Sequence, residues 1–222
     1  MKLSQRIEHT LLDVQATKED IKRICEEAVA NDFRAVCVAP FYVSLAKDLL
    51  KKTQVKVVTV VGFPFGYNMV SSKSQEAKKA LDDGADELDM VMNIAAFKSQ
   101  QLSVVQDDIE RVATLCRLRT KKIKVIIETG LLTYEEKTQI CSICKKADVD
   151  FVKTSTGFNG QGATVEDVQL LRSLLPESIK VKASGGIKTR QSADALVLAG
   201  AETLGTSSGI QIVNDPVFQQ LY

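Results

Sequence analysis

Three ionisable residues interrupt or close short apolar runs: Asp89 in Leu88-Asp-Met-Val, Lys153 at the end of Asp150-Phe-Val-Lys, and Lys182 in Ile179-Lys-Val-Lys-Ala. A lysine amine that has lost its proton attacks carbonyl carbon, and a carboxylate beside it can move protons. A lone lysine at a strand end ordinarily reaches solvent. Two lysines and an aspartate at the ends of three strands can instead converge on one mouth, provided that the strands share a sheet.

Loops rich in glycine and hydroxyls follow these positions. Thr154-Ser155-Thr156-Gly157-Phe158 comes directly after Lys153, Ser184-Gly185-Gly186-Ile187-Lys188 follows Lys182, and the last apolar run enters Gly205-Thr206-Ser207-Ser208-Gly209. Glycine lets backbone N–H groups approach an anion, hydroxyls add donors, and a short helix beginning near Ser207 would aim free amides at it. Each loop alone reads equally as an ordinary turn. Together they make Gly157, Gly185, Gly186, Gly205, Ser207 and Ser208, with Lys188 as a steering cation, candidates for holding a phosphate. A further tight loop, Gly62-Phe63-Pro64-Phe65-Gly66, carries aromatics suited to packing a cavity mouth.

Eight apolar runs read as strands, near 8–12, 35–39, 56–61, 87–93, 123–128, 150–154, 179–183 and 203–206. Between most of them lie stretches of helical period. In 17–30, Ile21, Ile24, Cys25, Ala28 and Val29 fall on one face, and similar stripes occupy 71–82, 104–119, 133–147 and 192–198. Thr17 with Asp20, Thr133 with Glu136 and Thr164 with Asp167 have the spacing of helix-opening capping pairs, while Gly84 and Gly200 sit where helices end. Strands alternating with helices require parallel crossovers, which leaves an open doubly wound sheet or a closed barrel. Ala39 is followed by Pro-Phe-Tyr-Val-Ser, not the glycine fingerprint of a dinucleotide fold. Eight repeats favour an α/β fold of the (β/α)8 TIM-barrel type, with its polar residues at the C-terminal ends of the strands.

The bulk properties fit one domain: 222 residues with 45% hydrophobic composition build one sizeable core. A net charge of +1, from 29 basic and 28 acidic residues, offers no basic stripe for nucleic acid. No apolar stretch approaches the roughly 20 residues that span a bilayer, and the first residues lack a signal-peptide run, so a cytoplasmic location is expected. Five cysteines then read as thiols. Cys141 and Cys144 have redox-like spacing but share a helical stripe with Ile140 and Ala147, which favours a packed core role. One histidine, His9, and no tight carboxylate cluster leave no ligand set for a metal.

The sequence resembles the deoxyribose-phosphate aldolase family. The match runs through Glu8-His-Thr-Leu-Leu, Val60-Val-Gly-Phe-Pro, Glu87-Leu-Asp-Met-Val-Met-Asn, Phe151-Val-Lys-Thr-Ser-Thr-Gly-Phe, Val181-Lys-Ala-Ser-Gly-Gly-Ile and Leu204-Gly-Thr-Ser-Ser-Gly, from the first strand to the last. The resemblance implies an enzyme without metal or organic cofactor that reversibly cleaves 2-deoxy-D-ribose 5-phosphate into acetaldehyde and D-glyceraldehyde 3-phosphate. It implies Lys153 as the Schiff-base lysine, Lys182 as its neighbouring cation and Asp89 as acid/base partner, in a homodimer or higher homo-oligomer. It also implies that Tyr222, the last residue of Asp215-Pro-Val-Phe-Gln-Gln-Leu-Tyr, moves the proton at the nucleophilic carbon; the bland alternative is a frayed end. Glu8 departs from the aspartate of many members, Lys188 from arginine, and Thr203-Leu204 from an Arg-Ile pair.

Those roles set a physical requirement. Lys153 must lose a proton near neutral pH from an ordinary value of about 10.4, through desolvation and a neighbouring cation. Cys37 reads as a small core residue or a cavity liner, and His9 as a weaker candidate for contact with the site. Two competing readings share the glycine loops: another phosphosugar barrel, such as an epimerase or synthase, and a non-catalytic phosphosugar-binding protein. Neither calls for two lysines and an aspartate in this arrangement.

Overall fold

The computed structural model describes residues 1–215. Eight parallel strands close into a barrel in sequence order: β1 Ile7–Leu11, β2 Ala35–Val38, β3 Lys56–Val61, β4 Glu87–Val91, β5 Lys122–Ile126, β6 Phe151–Lys153, β7 Lys180–Ser184 and β8 Thr203–Thr206. Pairing of Glu8 with Gly205 joins β8 to β1 and completes the ring. The helices are α1 Lys18–Ala30, α2 Val43–Leu50, α3 Val70–Asp82, α4 Ile94–Lys98, α5 Leu102–Leu118, α6 Tyr134–Lys146, α7 Val165–Leu174, α8 Arg190–Leu198 and α9 Gly209–Asn214. This is the (β/α)8 barrel that the strand and helix alternation predicts. None of these helices is long and apolar enough to cross a membrane.

The helix starts follow the capping chemistry. Thr17 accepts the Asp20 amide while the Asp20 carboxylate accepts the Thr17 amide, and Thr133 and Glu136 repeat the exchange; each such cap is worth about 1 kcal/mol. Thr164 accepts the Asp167 amide, but the Asp167 carboxylate turns to Lys137 at 2.5 Å, so α7 has half a box and an ion pair to α6 instead. Asn93 does not continue β4, as the apolar run suggests: its side chain accepts the Ala96 amide and opens α4.

The buried apolar residues form two groups that reveal which way each strand faces. Val36, Val38, Leu88, Met90, Ile123, Val125 and Val152 point outward and pack with helix residues such as Ile21, Ala28, Ala77, Ile109 and Ile140. Ala35, Cys37, Val58 and Val60 form a separate cluster on the inside of β2 and β3. Alternation along a strand makes this parity strict. Cys141 and Cys144 join the outer core from α6 and are free thiols, as their helical stripe indicates.

Candidate active site

Opposite the small apolar wall of β2 and β3, the interior is filled with charge. Glu8 of β1, Glu87 and Asp89 of β4, Lys124 of β5, Lys153 of β6 and Lys182 of β7 are all buried. Lys153 Nζ donates to Asp89 Oδ2 at 2.8 Å, and Lys182 Nζ donates to the same oxygen at 2.6 Å. Lys124 Nζ holds the other oxygen, Oδ1, at 2.8 Å and also contacts Glu87 at 2.8 Å and Glu8 at 3.3 Å. Lys182 is ion-paired to Glu8 as well. The structure therefore brings Asp89, Lys153 and Lys182 into direct contact.

Their depth differs from the sequence expectation. Lys153 does end its strand, whereas Asp89 and Lys182 lie in the middle of theirs. Register explains it: Lys153 sits opposite both Ile126 and Lys182, and Asp89 opposite Lys124, so barrel stagger brings mid-strand positions of β4 and β7 level with the end of β6.

These contacts divide the lysines. Burial pushes the Lys153 amine below the ordinary lysine value; its one carboxylate partner, Asp89, pulls it back, and Lys182 adds to the lowering. Burial acts on Lys182 in the same direction, but Asp89 and Glu8 outweigh it and hold that ammonium above its usual value. Asp89 is raised by burial and lowered more strongly by Lys124, Lys153 and Lys182, so it stays well below the carboxylate range. The arrangement supplies one amine whose proton is loosened, a neighbouring ammonium whose proton is held more firmly, and a shared carboxylate.

Above this cluster opens a cavity of about 490 Å3, of a size that suits a small metabolite, with Lys153 in its wall. Gly157, Gly185, Gly186, Lys188, Gly205 and Ser207 line it too. Ser208 does not; its amide donates to Thr206 Oγ1 at 2.9 Å just before α9 begins at Gly209. Gly185 adopts φ +87°, and a Cβ there would stand 2.9 Å from the Gly162 Cα, so only glycine fits. Gly186 has φ +75°, and a Cβ added to it would meet nothing within 4 Å, because it would enter the open mouth. Gly205 has a different constraint: a Cβ would press on Lys182 Cε at 3.0 Å. Tyr222 lies outside the described residues.

The loop after β6 is fixed by a residue that the sequence does not single out. Glu128, with φ 57° in the left-handed region, is buried. Its carboxylate accepts the Thr156 amide at 3.1 Å, the Thr156 hydroxyl at 2.5 Å and the Asn159 amide group at 3.3 Å. Asn159 also donates to Pro64 O at 3.1 Å, and Phe63 meets Phe158 edge-on at 5.2 Å, which ties the two mouth loops together. Lys124, Glu8 and Glu87 are likewise absent from the sequence candidates, although Lys124 interrupts an apolar run as Asp89 does and Glu8 and Glu87 open theirs. Cys37 faces inward on the apolar wall, its thiol pushed up to about 11 by burial and, secondarily, by Asp89. His9 faces outward, bonded to Glu27 at 2.9 Å and packed on Phe33, away from the cavity.

Comparison with known proteins places these observations in a family. Deoxyribose-phosphate aldolase from Thermococcus gammatolerans is 52% identical over 215 residues, which is 96% of this chain and 96% of that protein. The enzyme of the same name from Finegoldia magna is 50% identical over 96% of this chain and 99% of its own length. Among solved structures, a tetrameric deoxyribose phosphate aldolase from Aeropyrum pernix superposes with a TM-score of 0.89 at 34% identity, covering 95% of this chain and 89% of that one. Residues 2–214 match the profile of the DeoC/LacD family aldolases, and the chain belongs to that family.

Proposed function

We propose that this chain catalyses the reversible aldol cleavage of 2-deoxy-D-ribose 5-phosphate to acetaldehyde and D-glyceraldehyde 3-phosphate through an imine on Lys153. The observation that carries the assignment is the position of the Lys153 amine: buried, held by a single carboxylate oxygen that it shares with Lys182, and facing a cavity walled by glycine loops. Breaking a carbon–carbon bond leaves an electron pair on carbon, and a lysine imine takes it up. The neutral Lys153 amine adds to the C1 carbonyl of the open-chain sugar. Asp89, held by Lys124 and Lys182, relays protons as the carbinolamine loses water and as the C3 hydroxyl gives up its proton when the C2–C3 bond breaks. The enamine left on Lys153 is protonated at C2, the step assigned to Tyr222, and hydrolysis releases acetaldehyde.

The phosphate is assigned to backbone groups around Gly185, Gly186, Gly205 and Ser207, with Gly157 packed beside Gly185 and the exposed Lys188 as a steering cation. Binding there fixes C1 relative to Lys153. Ser208 stands directly before α9 with its amide engaged by Thr206 Oγ1, which leaves its hydroxyl as its donor to the anion. A cytoplasmic location and a homodimer or higher oligomer complete the reading, the latter supported by the tetrameric relative. Borohydride reduction in the presence of acetaldehyde should add about 28 Da, the mass of the two-carbon adduct, to the peptide containing Lys153. Labelling at Lys182 or Lys124 instead would reject the assignment.

A further inference from the structure

The charges of the ion-pair network inside the barrel do not balance. Three carboxylates, Glu8, Glu87 and Asp89, face four cations, the part-buried Arg34 and the buried Lys124, Lys182 and Lys153, while the buried Glu128 at the mouth is bonded to Thr156 and Asn159 and pairs with none of these cations. The other strands add nothing ionised: β2 contributes the Cys37 thiol, kept neutral by burial, and β3 and β8 turn Val58, Val60, Thr203 and Gly205 inward. Lys56 touches Glu87 from the floor at 3.2 Å, but its side chain is 44% exposed, so solvent screens it. Fully ionised, this connected network would carry one uncompensated positive charge, which is costly where the lysines and carboxylates are desolvated.

We infer that Arg34, at the floor of the barrel, keeps Lys153 unprotonated by claiming the carboxylate charge of Glu8 and Glu87, and so acts as a positioning residue for the nucleophile without touching substrate. The inference rests on the aldolase reading above. Arg34 Nη1 donates to Glu8 at 2.8 Å and to Glu87 at 3.0 Å, and Nη2 donates to Glu87 at 2.6 Å. A guanidinium does not give up its proton, so this positive charge is permanent. The surplus must then be shed by a lysine, and the contacts decide which. Lys124 has three carboxylates within 3.3 Å. Lys182 has Glu8 and Asp89. Lys153 has only Asp89, on an oxygen already taken by Lys182. Its proton is the most weakly held, and losing it makes the interior neutral. The influence of Arg34 extends beyond its own partners, since Asp89 is among the charges that strengthen its hold on its proton.

Charge matching separates this role from a merely structural one. Arg34→Gln leaves three lysines against three carboxylates, a set that balances with Lys153 protonated. The pH profile of acetaldehyde and borohydride trapping should move alkaline by about one unit, with about a tenfold loss of trapping rate at neutral pH. Adding Glu87→Gln restores a surplus of one cation, and the double variant should return toward the wild-type midpoint even though it has lost more ion pairs. Glu87→Gln alone should lie at the wild-type midpoint or to its acid side. A structural floor predicts the opposite order, with the double variant worst. An unmoved profile in Arg34→Gln, or no rescue in the double variant, overturns the inference. If Arg34→Gln does not fold, Glu87→Gln decides, because an alkaline shift there contradicts charge balance. Failure of the aldolase reading looks different: wild-type protein would give no adduct on Lys153.

Discussion

Replacing Lys182 by leucine tests the electrostatics at the centre of the site. Lys153 and Lys182 donate to the same oxygen of Asp89 at 2.8 and 2.6 Å, so their nitrogens stand no more than 5.4 Å apart. At an effective dielectric constant of about 20, two positive charges at that distance repel by about 3 kcal/mol, or about two pH units on the Lys153 amine. Removing Lys182 also leaves Asp89 Oδ2 to Lys153 alone, which acts in the same direction. Both effects favour the protonated amine, so its midpoint rises. Imine formation in Lys182→Leu should therefore drop about a hundredfold near neutral pH and recover as the buffer is made alkaline. Lys182→Arg keeps the charge and should hold the trapping midpoint near wild type, yet recover little cleavage, because a guanidinium does not exchange a proton readily. The assay is the rate of borohydride trapping with acetaldehyde from neutral to strongly alkaline pH, run beside steady-state cleavage. A wild-type trapping profile in Lys182→Leu would refute the reasoning even if cleavage collapsed, and would leave Lys182 as a proton carrier or substrate contact.

The phosphate assignment is tested at Gly186, where a Cβ meets open space. Gly186→Ala carries a backbone cost of about 1–2 kcal/mol, and should raise KM for deoxyribose 5-phosphate while leaving that for deoxyribose unchanged; equal losses would put the anion elsewhere. Glu128→Gln replaces a carboxylate that accepts three donors with an amide that cannot serve them all. It should cost about 1–3 kcal/mol of stability and raise KM for the phosphosugar while sparing trapping by acetaldehyde, and an unchanged melting temperature would argue against the clamp. Burial raises the Cys25 and Cys37 thiols to about 11 and those of Cys116 and Cys141 to about 12, with Cys144 raised well above its ordinary value. All five should resist an aromatic disulfide reagent until denaturant is added, and one fast-reacting native thiol would contradict their packing.

Period and punctuation carry most of the fold in the sequence, because apolar runs and threonine caps are local signals and the barrel is their consequence. The charged interior is less legible. Lys122 and Lys124 share one parity in β5, yet the first is exposed and the second wholly buried. Depth along a strand depends on the stagger of its neighbours, which one strand's sequence does not encode. The same stagger moves Asp89 and Lys182 from expected strand ends to mid-strand. Gly205 shows how two requirements can meet in one residue. From sequence it is a loop glycine beside an anion, and the structure does put it in the cavity wall. It also lies between β7 and β1, paired with Ser184 on one side and Glu8 on the other, where a Cβ would collide with the Lys182 stem. Its missing side chain is the gap through which Lys182 reaches Glu8, so the glycine that lines the cavity proposed for the phosphate also completes the ion pair that holds the Lys182 proton.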